Sequence, residues 1–293
     1  MKRRAVLAAA AAAALPVRAF AAEPRFTRGL LWRIAGTQAE PSHVFGTHHA
    51  DDPRLHRLPD LVHDTLHRSR ALMLEYYPDQ YARERFLEAA MHLGGRTLAQ
   101  DIGQDDFELA VEALRPIGLS REFVAKLKPW GALLNLRTSR QPSGAEALEA
   151  RLFRLARERR MPVSQIESVE EQIFTFDEMT PAAQVALLRH ALAHREELDA
   201  LAERTLQAYV LGDLQGLWNA QQEFAGRHPQ LRTHHAELMK RVVLDRSVVM
   251  AYRMQRELRR GRAFVAVGAL HLYGERGVLA LLEEDGYRPE RVY

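Results

Sequence analysis

Val44-Phe45-Gly46-Thr47-His48-His49 near the start of the chain and Phe264-Val265-Ala266-Val267-Gly268-Ala269-Leu270-His271 near its end carry one signature. Each is an apolar run closed by Gly-x-x-His, the pattern of a buried strand that delivers a histidine at its end. In an α/β fold, ligands collect outside the carboxyl ends of strands, and a glycine there lets other groups come close. The 17 glycines and 13 histidines of the 293 residues give roughly 0.75 such spacings by chance, so the spacing alone decides little. The strand context shared by both copies makes His49 and His271 candidates for one metal.

Working outward, Ala71-Leu72-Met73-Leu74-Glu75-Tyr76 reads as a third buried strand and Pro162 to Glu167 as a short fourth. Leu30 to Ile34 and His43 to Phe45 flank the turn-rich Gly36 to Pro41, as in a hairpin. Arg288 to Tyr293 reads as the last strand. Helices are predicted over 59–69, 79–92, 104–115, 120–138 and 144–160. A longer helical block covers 180–260, broken near Gly212-Asp213 and His228-Pro229, and a final helix covers 274–285. Strand-rich ends around a helical middle predict an α/β fold. Its mixed central sheet is flanked by helices, and a large helical insertion, about 79–260, separates the N- and C-terminal sheet-forming segments.

Residues 1–21 read as a cleaved export signal: Lys2-Arg3-Arg4, an alanine-rich apolar run from Ala5 to Leu15, and Ala19-Phe20-Ala21 as the cleavage site. The arginine pair and Arg18 lean towards the twin-arginine route, with the general secretory route as the alternative. Residues 22–293 then form a single domain, periplasmic or secreted. Removing Lys2, Arg3, Arg4 and Arg18 takes the net charge from +3 to −1, which gives no reason to propose nucleic acid as a partner. No later segment is apolar and long enough to span a membrane. Zero cysteine excludes disulfides, thiolate metal sites and a cysteine nucleophile.

Glu75 strengthens the metal reading of His49 and His271. It ends an otherwise apolar strand, and a buried carboxylate costs several kcal/mol unless paired or metal-bound. Two imidazoles and a carboxylate suit a divalent cation, with Mn, Co and Zn all compatible. Glu167 repeats the pattern, either as a catalytic carboxylate or as a cap for the helix starting near Val169. Other histidines compete. His63 and His67 share i,i+4 spacing, but the apolar stripe Leu58, Leu61, Val62 and Leu66 leaves them on the wet side. His190 and His194 are expected on a solvated face as well, and His234-His235 at the surface. His48 should point away from His49. There is no Gly-x-Ser-x-Gly elbow and no phosphate loop.

With these residues in hand, the chain resembles the TraB/GumN family, related to Tiki metalloproteases and more loosely to erythromycin-esterase-like and ChaN-like proteins. The resemblance runs from about Gly29 to Tyr293. It rests on Phe45-Gly46-Thr47-His48-His49 with Asp52-Pro53-Arg54, on Leu74-Glu75, and on Pro162-Val163 through Glu167 to Glu171-Gln172. Val267-Gly268-Ala269-Leu270-His271-Leu272-x-Gly274 is the closest match, and Pro129-Trp130 and Tyr209-x-x-Gly212-Asp213 also fit. Where the family often carries Arg-Asn-x-x-Met, this chain has Arg246-Ser247-Val248-Val249-Met250. Serine lacks the amide's reach and one donor. The resemblance implies a strand-end metal site and, by its Tiki branch, divalent-metal peptide hydrolysis. Its GumN branch is associated with exopolysaccharide gene clusters.

These readings make one expectation: an exported metal-dependent hydrolase acting on a peptide or amide bond of a peptide or envelope-associated substrate. His49, His271 and Glu75 hold the cation. Glu167 serves as general base or orients a ligand. Arg246 stabilises an oxyanion or binds a substrate carboxylate, and Ser247 replaces the family's asparagine beside it. The alternative is a non-catalytic periplasmic protein that binds metal, haem or glycan in the same cleft and is linked to envelope polysaccharide. A third reading is an interaction scaffold. Oligomeric state is not read from the sequence.

Overall fold

The structure, a computed structural model, describes residues 25–36, 38–50, 52–137 and 147–293. The export signal expected at 1–21 lies outside the described residues. Six strands form one sheet: β1 (Leu31–Ala35), β2 (Ser42–Thr47), β3 (Ala71–Leu74), β4 (Val163–Gln165), β5 (Ala263–Gly268) and β6 (Arg288–Arg291), in the order β4-β3-β5-β2-β1-β6. β4, β3, β5 and β2 run parallel, whereas β1 is antiparallel to both β2 and β6. This is the mixed sheet flanked by helices that the strand pattern predicts. β3 and β5 are apolar along their length and sit in the interior, as strands covered on both faces must. β6 is an exposed edge and carries Pro289, which an interior strand would not tolerate.

The parallel arrangement fixes the geometry of the candidate residues. Register pairs Thr47 with Gly268, Leu74 with Ala266, and Leu74 with Gln165. All four parallel strands therefore end on one side, and each is followed within three residues by a candidate residue: His49, Glu75, Glu167 or His271. The ladder continues one step past β3 and β4, with Ile166 N donating to Leu74 O and Glu167 N to Glu75 O, both at 2.8 Å.

The main core lies against the sheet. Its helices include Asp60–Arg68, Leu148–Glu158 and Arg246–Arg260, which contribute Val62, Leu66, Leu152, Met250 and Met254. A second core is built within the insertion, around Ile102, Leu114, Trp130 and Leu188. Trp130 is fully buried, stacks on Phe176 at 5.7 Å, and donates its indole N–H to Asp177 at 2.9 Å. The insertion is not wholly helical, because β4 returns from it to the sheet edge. The helix predicted over 120–138 is two helices, Arg121–Lys126 and Pro129–Arg137, since a proline is accommodated at a helix start and not inside one. Among the described residues no helix is long and apolar enough to cross a membrane.

Gly46 of β2 shows why the first motif needs glycine. A Cβ there would lie 2.8 Å from Leu272 Cδ1 and 3.1 Å from Ala269 Cα, in the turn that carries His271. Gly46→Ala is expected to lower stability by about 1–3 kcal/mol through overpacking. Gly226→Ala, at a helical site with nothing within 4 Å, should be neutral or stabilising by about 0.5–1 kcal/mol. Chemical denaturation of both variants checks this. Equal stability would show that the strand and turn are not in close contact.

Candidate functional site

His49, Glu75 and His271 converge. A point one Cβ length above Gly268 lies 3.2 Å from Glu75 Oε1, 3.4 Å from His271 Cδ2 and 3.9 Å from His49 Nε2. His271 Nε2 and Glu75 Oε1 are 3.9 Å apart. The absent side chain of Gly268 is what leaves room for them, and its N–H donates to Glu75 Oε1 at 2.5 Å.

Each imidazole is held by its Nδ1 edge. Ser247 Oγ donates to Val243 O at 2.8 Å and lies 2.9 Å from His271 Nδ1. With the hydroxyl hydrogen spent on the carbonyl, Nδ1–H is the donor to Ser247 Oγ, which leaves the Nε2 lone pair towards Glu75. Val243 belongs to a π-helical turn, Lys240–Asp245, of the kind that often marks functional sites. His49 Nδ1 lies 3.0 Å from Glu149 Oε1, an ion-pair contact without in-line hydrogen-bond geometry. A carboxylate or hydroxyl behind a histidine is the arrangement that orients metal-ligating imidazoles.

The charges are unevenly set. Burial works to raise Glu75, but Arg246, His271, His49 and the Gly268 N–H outweigh it and hold the carboxyl at about 2. Burial pushes Glu167 up, against Arg246, with the negative charges of Glu75 and Glu171 adding to the rise. Arg246 spans the two carboxylates. Nη2 donates to Glu75 Oε2 at 2.6 Å and to Glu167 Oε2 at 2.8 Å, Nε donates to Glu167 Oε2 at 3.0 Å, and Nη1 donates to Val242 O at 3.3 Å. Four of the five guanidinium hydrogens are engaged, which leaves one for a substrate oxygen. Gln172 Nε2 also approaches Glu75 Oε2, at 3.4 Å. Burial brings His271 down to about 4, with Arg246 and His49 adding to this and Glu75 opposing it. Glu149 raises His49 to about 9 against its desolvation. The His49 side chain still keeps 60% of its surface in solvent, which screens part of that effect.

Donor chemistry fits a divalent cation, an ionised carboxylate and two imidazoles with Nε2 towards a shared space, provided that binding displaces the proton Glu149 favours on His49. His49, Glu75 and His271 would hold it, with Ser247 and Glu149 behind the rings. The donors are more widely spread than in a closed site. Among the described residues one group of histidines and carboxylates brings its donor atoms within 4.8 Å of one another, and it lies elsewhere: His190, His194 and His228, which could hold a metal ion.

The structure corrects several sequence expectations. Ser247 touches the His271 ring and is 1% exposed, so it backs that ring and does not open onto the cleft. Ser168, not Glu167, caps the helix Val169–Asp177, in a capping box with Glu171. His190 and His235 are buried, not solvated. His63 and His67 are exposed, as their helix face required, although Leu61 is exposed with them. His48 packs on Tyr209 at 5.2 Å. Glu149 was missed. Its signal was a carboxylate in register with Leu152 and Ala156, the buried stripe of its helix.

The model of the TraB/PrgY/gumN family matches residues 30–291, and the chain belongs to that family. No curated protein and no solved structure matches it.

The His271 shift has a testable sign. A histidine whose folded pKa is depressed contributes stability that is present above its unfolded value of 6.5 and lost as pH falls from there towards about 4. His271→Gln should therefore cost more stability at pH 7.5 than at pH 4, by on the order of 2–3 kcal/mol. Urea denaturation at the two pH values measures this. An equal cost at both would mean that the ring is not held neutral by burial.

Proposed function

We propose that the strand-end cluster is the catalytic centre of an exported, divalent-metal-dependent hydrolase acting on a peptide or amide bond. The observation that carries this reading is the convergence of His49 Nε2, Glu75 Oε1 and the His271 ring above Gly268. A cation held there supplies Lewis-acid polarisation of the scissile carbonyl. The chain's own residues do the rest. Ser247 and Glu149 keep the two imidazoles facing inwards. Glu167, one strand over from Glu75, accepts the proton of the attacking water and returns it to the leaving nitrogen. Arg246 keeps Glu75 ionised and offers its remaining hydrogen to the developing oxyanion. Export to the periplasm or beyond rests on the basic, alanine-rich segment at residues 1–21.

Arg246 also supports a second reading. It already neutralises Glu75 through a 2.6 Å ion pair, so the cluster is electrostatically satisfied without a cation. The same cleft would then serve a non-catalytic protein that binds metal, haem or glycan.

A peptide library incubated with the purified protein and Mn²⁺, Co²⁺ or Zn²⁺ tests the proposal. Cleavage is expected, abolished by chelator and restored by the cation. Glu75→Gln and His49→Ala should each lose activity. Ser247→Ala should weaken metal binding about 10–100-fold by freeing the His271 ring. If the protein carries metal at the strand ends but cleaves no peptide, the hydrolase reading fails and the binding reading stands.

A further inference from the structure

His190 and His194 lie one turn apart on the helix Pro181–Ala193 and its C-terminal cap, and His228 caps the end of the helix Leu214–Arg227. These helices belong to the insertion, not to the sheet ends. Ring centroids are 4.1 Å apart for His190–His194, 4.1 Å for His190–His228 and 5.0 Å for His194–His228. One nitrogen from each ring lies within 4.8 Å of the others.

The hydrogen bonds around the rings leave lone pairs for a ligand. His194 Nδ1 is 3.1 Å from His190 O, and a carbonyl can only accept, so Nδ1 carries the hydrogen and Nε2 is free. His228 Nε2 is 2.9 Å from Glu197 Oε2, which likewise makes Nε2 the donor and leaves Nδ1 free. His190 Nε2 is buried with no hydrogen-bond partner. A buried polar nitrogen without a partner calls for an explanation such as an ion or ordered water. Beside His190 is a cavity of about 30 Å³, walled by Leu187, Leu198, Phe224 and His235.

We propose that His190, His194 and His228 bind one borderline divalent cation of the Zn²⁺ class, which clasps the two helices together. Three imidazoles suit zinc, cobalt, nickel or copper and disfavour magnesium and calcium, which take oxygen ligands. Glu197 is the carboxylate behind His228 that such sites use to orient a ligand. A three-histidine set leaves the fourth tetrahedral position to a water. The clasp is independent of the strand-end chemistry, since none of its residues belongs to that cluster.

The test uses a His49→Ala/His271→Ala variant of the whole protein, stripped with chelator and then titrated with Zn²⁺ and Co²⁺. Elemental analysis is expected to give about one ion per chain, Co²⁺ to show tetrahedral ligand-field absorption, and Zn²⁺ to raise the melting temperature. Adding His194→Gln and His228→Gln should take the stoichiometry to none and remove the Zn²⁺-dependent rise. An unchanged stoichiometry after those substitutions, or no ion bound by the parent variant, overturns the proposal. Should the added substitutions prevent folding, the Co²⁺ spectrum of the parent decides, and six-coordinate absorption overturns it. Failure of the strand-end reading would appear separately, as wild-type protein binding no more metal than this variant.

Discussion

Arg246 is the residue on which the strand-end geometry depends. Parallel pairing of β3 with β4 places Glu75 and Glu167 side by side, and both are 4% exposed. Two carboxylates at adjacent strand ends, away from water, repel strongly unless a cation lies between them. The guanidinium supplies that charge with hydrogen bonds to both, and so defines where each carboxylate points. Buried ion pairs of this kind add little net stability over an apolar core, but losing one partner leaves an uncompensated charge costing roughly 3–5 kcal/mol. The arrangement is therefore a constraint on position more than a source of stability.

The same helix segment orients the histidine across the cluster. Arg246 and Ser247 follow the π-helical turn Lys240–Asp245 directly, and the carbonyls of Val242 and Val243 take their side-chain hydrogen bonds. One local widening of the helix thus serves the carboxylate pair through Arg246 and the imidazole through Ser247. On the other side Glu149, from the helix Leu148–Glu158, holds His49. A serine where the family often has asparagine is enough for the first task, because the ring needs only one acceptor within 2.9 Å.

Much of this was legible in the sequence because strands announce their ends. Glu75 and Glu167 each close an apolar run, and the two Gly-x-x-His segments name their own geometry, so all four parallel strands could be read with the candidate residues that follow them. The helical middle was harder. The helix Pro181–Ala193 buries Ala183, Gln184, Leu187, Leu188, His190 and Ala191, which cover most of its circumference. Periodicity assigns a polar residue to the wet face only when a helix has one. His190 was therefore misplaced, and its meeting with His228 depends on helix packing across the insertion, which no local pattern encodes. His63 and His67, with the same spacing on a helix that does have a wet face, were placed correctly.

The central claim is that the parallel strand ends form a cation site. Anomalous diffraction from crystals soaked in Mn²⁺ measures this most directly, because manganese suits a mixed imidazole and carboxylate set and is disfavoured by a purely imidazole one. The account predicts an anomalous peak within roughly 2.0–2.3 Å of His49 Nε2, His271 Nε2 and a Glu75 oxygen. A peak elsewhere, or none, with the Arg246–Glu75 ion pair intact and both imidazoles unliganded, would contradict it.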